Sequence, residues 1–243
     1  MENNVIEKLR DDVAYYGEYG SKYLSNSDIY SLIHNPASFK KGEMTLSMLL
    51  GRYFHTYMLE PDKLGEFIVV DAATRNNKDY KLAISEVEEE YLMLRREVDE
   101  MTALGDKIKA NLDLHSIIYS DGNTYESPAI KEIYGEMWKG KADIVTDSHV
   151  VDLKTTGDIS KFKYSAYTYN YDSQAYLYQE LFGKPMMFIV ICKKTGVINT
   201  YECGPEFIER GRDKVMDAVI QYRKFFGKDK TEDVDNYYTK LIL

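Results

Sequence analysis

Only two cysteines, Cys192 and Cys203, occur in 243 residues. They are too few for a disulfide scaffold, a four-cysteine zinc site or a four-cysteine iron–sulfur cluster, so both read as buried, reduced thiols. The sequence also lacks an apolar run of the roughly eighteen residues that a membrane span needs. Its first thirty residues lack the basic end and apolar stretch of a secretory leader. A cytoplasmic protein with no membrane segment is expected. Basic charge is short too: 31 Lys and Arg face 40 Asp and Glu, a net −9. That excludes coating nucleic acid by bulk electrostatics, but leaves room for a local basic groove around an acidic, metal-binding centre. Fifteen glycines and five prolines fall below the usual combined share of roughly 12%, which predicts long elements and few elaborate loops. What is present is a 44% hydrophobic composition, ample for a core, and 22 tyrosines. Most of these should edge the core, with some free to stack on bases or line a groove.

The N-terminal third reads helical. Ser25 to Asp28 starts a short helix that Asn35-Pro36 closes, and a second helix runs from about Thr45 to Leu59 before Glu60-Pro61 turns the chain. From Lys81 to Leu114, apolar residues recur at helical spacing, predicting a long helix or helical hairpin packed on the domain. Before it, Asp71 to Asp79 is polar and aperiodic, an exposed loop. Past residue 125 the period changes to that of strands, at Glu126–Tyr134, Trp138–Thr146 and Val150–Thr155. A helix over Ser165–Phe182, strands at Met187–Cys192 and Val197–Glu202, and a last helix over Glu206–Phe226 complete a mixed α/β sheet flanked by helices.

The stretch from Lys139 to Thr156 carries the chemistry. If its hairpin turn is centred between Asp147 and Ser148, paired positions sum to 295 and Asp143 lies opposite Asp152. Two carboxylates rooted about 5 Å apart repel, and a divalent cation compensates them. Lys154, two residues beyond Asp152, projects on the same face. A cation bridged by carboxylates beside an ammonium group is what phosphodiester hydrolysis requires. His55 shares a helix face with Gly51, which would let that face approach another backbone closely; its imidazole suits Mn²⁺ and is tolerated near Mg²⁺. Gln174 and Tyr178 share a face of a later helix.

In order and spacing, these pieces resemble the RecB-like branch of the PD-(D/E)XK nucleases, and within it the phage and prophage exonuclease VIII, or RecE-type, group. The resemblance spans roughly residues 20 to 225. Its marks are Gly51-Arg-Tyr-Phe-His55 with Leu59-Glu60-Pro61, Gly140-Lys-Ala-Asp143, Asp152-Leu-Lys154-Thr-Thr156 and Gln174-Ala-Tyr-Leu-Tyr178, preceded by Ser25 to Phe39. It implies a restriction-endonuclease-like core, a central mixed β-sheet flanked by helices, with an added helical N-terminal region. The whole chain would be one nuclease domain: a mainly helical part, 1–115, carrying His55; a sheet core, 116–203; and a C-terminal helix and tail, 204–243. His55, Asp143, Asp152 and the Leu153 carbonyl would hold Mg²⁺ or Mn²⁺. Lys154 would be the catalytic ammonium, and Gln174 and Tyr178 would brace the site or touch the DNA. Glu60 would be structural, partnering a nearby base. Glu126 falls where the group has an acidic residue on its first sheet strand, a loose match that leaves it outside the ligand set. Ala142 replaces the aromatic or proline that often precedes the first aspartate.

The implied activity is a Mg²⁺- or Mn²⁺-dependent exodeoxyribonuclease. It would resect one strand of linear duplex DNA 5′ to 3′ in phage-type recombination, beside a single-strand annealing recombinase and as a homo-oligomeric ring. Candidate phosphate contacts are Arg75, Lys78, Lys139, Lys141, Lys161 and Lys163. The rivals are a structure-specific or other RecB-like endonuclease on the same fold and a non-catalytic DNA-binding module. CRISPR adaptation nucleases are disfavoured, because their cluster needs four cysteines.

Overall fold

The computed structural model describes residues 2–239. The N-terminal part is helical: α1 (Glu2–Leu9), α2 (Asp12–Tyr16), α3 (Asn26–His34) and α4 (Leu46–Leu59). As the sequence predicts, Ser25 and Asp28 form a reciprocal cap on α3, and the Thr45 hydroxyl caps α4 by accepting from the Met48 amide. Neither α1 nor α2 is foreseen; both are too short to show a period.

The helix or helical hairpin expected from Lys81 to Leu114 is instead several pieces, α5 (Lys78–Ser85), β2 (Met93–Leu94), α6 (Arg95–Lys109) and α7 (Leu112–Ile118), and β2 pairs with β1 (Val69–Val70). Capping chemistry makes the breaks. Glu97 accepts from the Leu94 amide at 3.0 Å and starts α6, and Asn111 accepts from the Leu114 amide at 3.1 Å and starts α7. Leu92 to Leu94 are buried in extended conformation, so the periodic signal there comes from a strand in the core.

The central sheet has the order β3 (Thr124–Ile133), β4 (Glu136–Val145), β5 (Val150–Thr156), β6 (Met186–Cys192), β7 (Ile198–Glu202). Its β5–β6 pair is parallel and the others are antiparallel, which makes the sheet mixed. The crossover between β5 and β6 holds α8 (Phe162–Thr168) and α9 (Tyr171–Phe182), and α10 (Pro205–Phe225) follows β7. The helix expected over 165–182 is thus two. Asn170 takes a left-handed φ of 57° between them, and its side-chain oxygen accepts from Lys214.

One face of the sheet packs Ile144, Val151, Leu153 and Ile189 against Phe54, Met58, Met101 and Ile108 of α4 and α6. The other packs Ala142, Val150, Phe188 and Val190 against Phe162, Ala166 and Ala175 of α8 and α9. Ala142 and Ile144 should share a face in a regular strand, yet they belong to opposite cores. Between them the β3–β4 ladder skips one rung, Glu126 with Asp143, and Glu126 has a φ of 43°. Strand β4 therefore changes faces at Asp143.

Candidate active site

The face change lets Asp143 look toward α4 as well as along the sheet. Asp143 Oδ1 lies 3.3 Å from His55 Nδ1, and its Oδ2 accepts from the Leu153 amide at 2.8 Å. His55 Nε2 is 2.8 Å from the Leu153 carbonyl, so one imidazole ties α4 to both central strands. The expected register sum of 295 holds at Ile144–Val151 and Val145–Val150. Bridging stops one pair short of Asp143 and Asp152, where the Asp143 side chain takes the Leu153 amide.

Asp152 is 2% exposed. Its Oδ1 accepts from Gln174 Nε2 at 2.5 Å, and its Oδ2 stands 2.7 Å from Lys154 Nζ. Asp152 Oδ2 is thus a buried oxygen whose charge is met by the Lys154 ammonium. Lys154 Nζ also lies 4.9 Å from the centre of the Tyr171 ring. Glu126 joins from β3: ligand atoms of His55, Glu126 and Asp143 all lie within 4.8 Å of one another.

Three carboxylates thus face one lysine and one imidazole, and the ionisation of the cluster reflects that imbalance. Burial, reinforced by the Asp143 charge, pushes Glu126 up to about 8. Burial disfavours a charged His55, but the Asp143 carboxylate outweighs it and holds the imidazole up at about 9. Burial would likewise raise Asp143, yet His55 and Lys154 bring it below the usual carboxylate range. Asp152 goes up through burial, despite Lys154, and Lys154 goes up because Asp152 outweighs its own burial. The cluster gathers protons to offset negative charge, the work a divalent cation does better. Carboxylates that outnumber the cations beside them, hard oxygen donors and one imidazole, with no thiolate among them, fit Mg²⁺ or Mn²⁺.

The fold thus brings together His55, Asp143, Asp152, Leu153, Lys154 and Gln174. Tyr178 sits behind them, its hydroxyl donating to the Lys141 carbonyl at 2.9 Å and clamping α9 to β4. Glu60 pairs with Lys63 at 2.6 Å, as expected for a structural role. Gly51 differs from expectation: a Cβ there would meet nothing within 4 Å, so no backbone approaches it.

The expected phosphate contacts also need correcting. Lys139 and Lys141 are each 7% exposed and held by α2, donating to the Tyr15 carbonyl and to Asp12. Arg75 is engaged by Glu97 through two bonds of 2.6 and 2.7 Å. Lys78, Lys161 and Lys163 remain exposed, Lys161 with Asp158 3.9 Å away.

A mixed five-stranded sheet flanked by helices, with clustered acids and a lysine at its centre, defines a restriction-endonuclease-like α/β protein. Residues 22–232 match the family model described as a PDDEXK-like domain of unknown function (DUF3799), and the chain belongs to that family. The crystal structure of a "putative exonuclease" from Eubacterium rectale superposes with a TM-score of 0.66 at 17% identity, over 96% of this chain and 95% of that one. A second solved structure, of SSO0001, aligns at TM-score 0.33 and 17% identity over 77% of this chain and 83% of its own. No curated protein matches. Among the described residues, no helix is long and apolar enough to cross a membrane.

Proposed function

We propose that this chain is a divalent-metal-dependent deoxyribonuclease that hydrolyses phosphodiesters from the ends of linear duplex DNA, 5′ to 3′, in phage-type recombination. The observation that carries the reading is the convergence of Asp143, Asp152, His55 and Lys154 from two strands and a distant helix, with three carboxylates facing one ammonium and one imidazole. Membership of the PDDEXK-like family supports the nuclease class.

Asp143, Asp152, His55 and the Leu153 carbonyl would hold the cation, with Glu126 as a third carboxylate beside them. When bound, a divalent cation supplies Lewis-acid polarisation of the phosphoryl oxygens and neutralises charge that grows there. Lys154 keeps its proton beside Asp152, so it presents an ammonium group to orient the attacking water and to stabilise the transition state. Gln174 fixes the rotation of the Asp152 carboxylate, and Tyr178 holds the strand that leads into Asp143.

Asp152→Ala and Lys154→Ala should each abolish Mg²⁺- or Mn²⁺-dependent loss of end-labelled linear duplex, with circular dichroism unchanged. Cleavage at the wild-type rate in both would overturn the site. Release of the 5′ label before the 3′ label, with covalently closed circles intact, is the expected pattern; nicked circles would mark an endonuclease. In this reading the enzyme works as a homo-oligomeric ring beside a single-strand annealing recombinase. A sizing column that shows only monomer with DNA present would remove the ring.

A further inference from the structure

Partner residues on the three strands β5, β6 and β7 form a transverse row, Asp152 beside Phe188 beside Tyr201. Side chains in such a row share one face of the sheet, and strands lie about 4.8 Å apart, so Tyr201 stands roughly 10 Å from Asp152. On that face a cavity of about 210 Å³ opens between α8, the β6–β7 pair and the start of α10. Its walls are Phe162, Tyr167, Phe188, Tyr201, Cys203 and Phe207. Phe162 and Tyr201 pack against each other at a tilt, with centroids 4.8 Å apart and planes at 31°. Phe162 and Phe188 both touch Tyr171, the ring beneath the Lys154 ammonium. An unbroken line of aromatic rings therefore joins the catalytic lysine to the cavity.

We propose that this cavity binds one unstacked nucleobase of the strand being cut, from a nucleotide next to the scissile phosphate. The inference rests on the nuclease reading and adds a base subsite to it. The volume suits one planar heterocycle, and stacking on aromatic walls accepts any base. The mouth has matching polarity. Lys163, exposed at the rim, is placed for a backbone phosphate, and Glu202 offers an acceptor to an exocyclic amino group. Tyr164 and Tyr169 on the same crossover are 78% and 64% exposed, an interleaving of aromatic and basic residues that a single strand can follow. Holding one base out of the stack would fix the register of the strand over Asp152 and Lys154.

The test compares linear duplexes of natural sequence with duplexes carrying one abasic nucleotide, stepped through positions flanking the first scissile linkage. With wild-type protein, abasic substitution at one position should raise KM about ten-fold, the scale of one base–aromatic stack, with little change in kcat. Tyr201→Ala should raise KM on natural DNA similarly and be indifferent to the abasic nucleotide; Tyr201→Phe should retain the wild-type pattern. Phe207→Leu gives a second, milder lesion in the same wall. In EDTA, a 2-aminopurine at the sensitive position should be quenched by the wild type and not by Tyr201→Ala. Equal abasic sensitivity in wild type and Tyr201→Ala, or no sensitive position, would overturn the subsite while leaving a working nuclease. Absence of cleavage by the wild type would sink the nuclease reading, and the 2-aminopurine signal alone would then decide the subsite.

Discussion

His55 and Asp152 show what single residues contribute. Each lies in a stretch that would be unremarkable alone, and each gains meaning from a partner far away in sequence. Replacing Asp152 by Asn keeps its size but removes the charge that faces Lys154. The variant should lose Mn²⁺ binding as well as cleavage, whereas Lys154→Met should lose cleavage and keep Mn²⁺ binding, as read by calorimetry. Lys139 makes a different prediction. Burial under α2 holds its pKa down at about 8, against roughly 10.4 in an unfolded chain. The folded state sheds this proton first, so the unfolded state binds more protons between those values, and stability rises with pH across that window. In urea titrations from pH 7.5 to 10, Lys139→Met should lack that rise; subtracting the two profiles cancels the tyrosines. The convergence of His55, Asp143, Asp152 and Lys154 was legible from motif order. Glu126 was not placed beside them, because nothing in its neighbours announces a left-handed backbone or a missing rung.

Elements fail to be read where one residue overrides a periodic pattern. The sheet strands were legible to within a few residues, since short apolar and β-branched runs such as Met187–Cys192 stand between turn residues. The crossover helix was not seen as two, because the break at Asn170 depends on Lys214, more than forty residues later, to satisfy its side chain. Helix α2, five residues long, carries no period at all, although it covers Lys139 and Lys141. Packing between α9 and α10 gives a prediction at this scale. A Cβ on Gly211 would fall 2.0 Å from the Asp172 carbonyl oxygen, so the two helices meet at their backbones. Gly211→Ala should force them apart and cost about 2–3 kcal/mol in chemical denaturation. Gly42→Ala, in an exposed loop where a Cβ meets nothing within 4 Å, is the control and should change stability by no more than about 0.5 kcal/mol.

The molecule as a whole carries a net charge of −9, with a knot of buried acids at its centre. Occupying that knot with a dication should stabilise the fold. At a free Mn²⁺ concentration 100 times the dissociation constant, the gain is about 2.7 kcal/mol. Thermal melts should move upward with Mn²⁺, return with EDTA, and show no shift in Asp143→Asn. The order of the active-site residues along the chain has a consequence during synthesis. His55 is synthesised 88 residues ahead of Asp143, and Gln174 follows Lys154 by another 20. A nascent chain therefore holds its imidazole well before Asp143, Asp152, Lys154 and Gln174 exist, and the cluster closes only after all of them have been made.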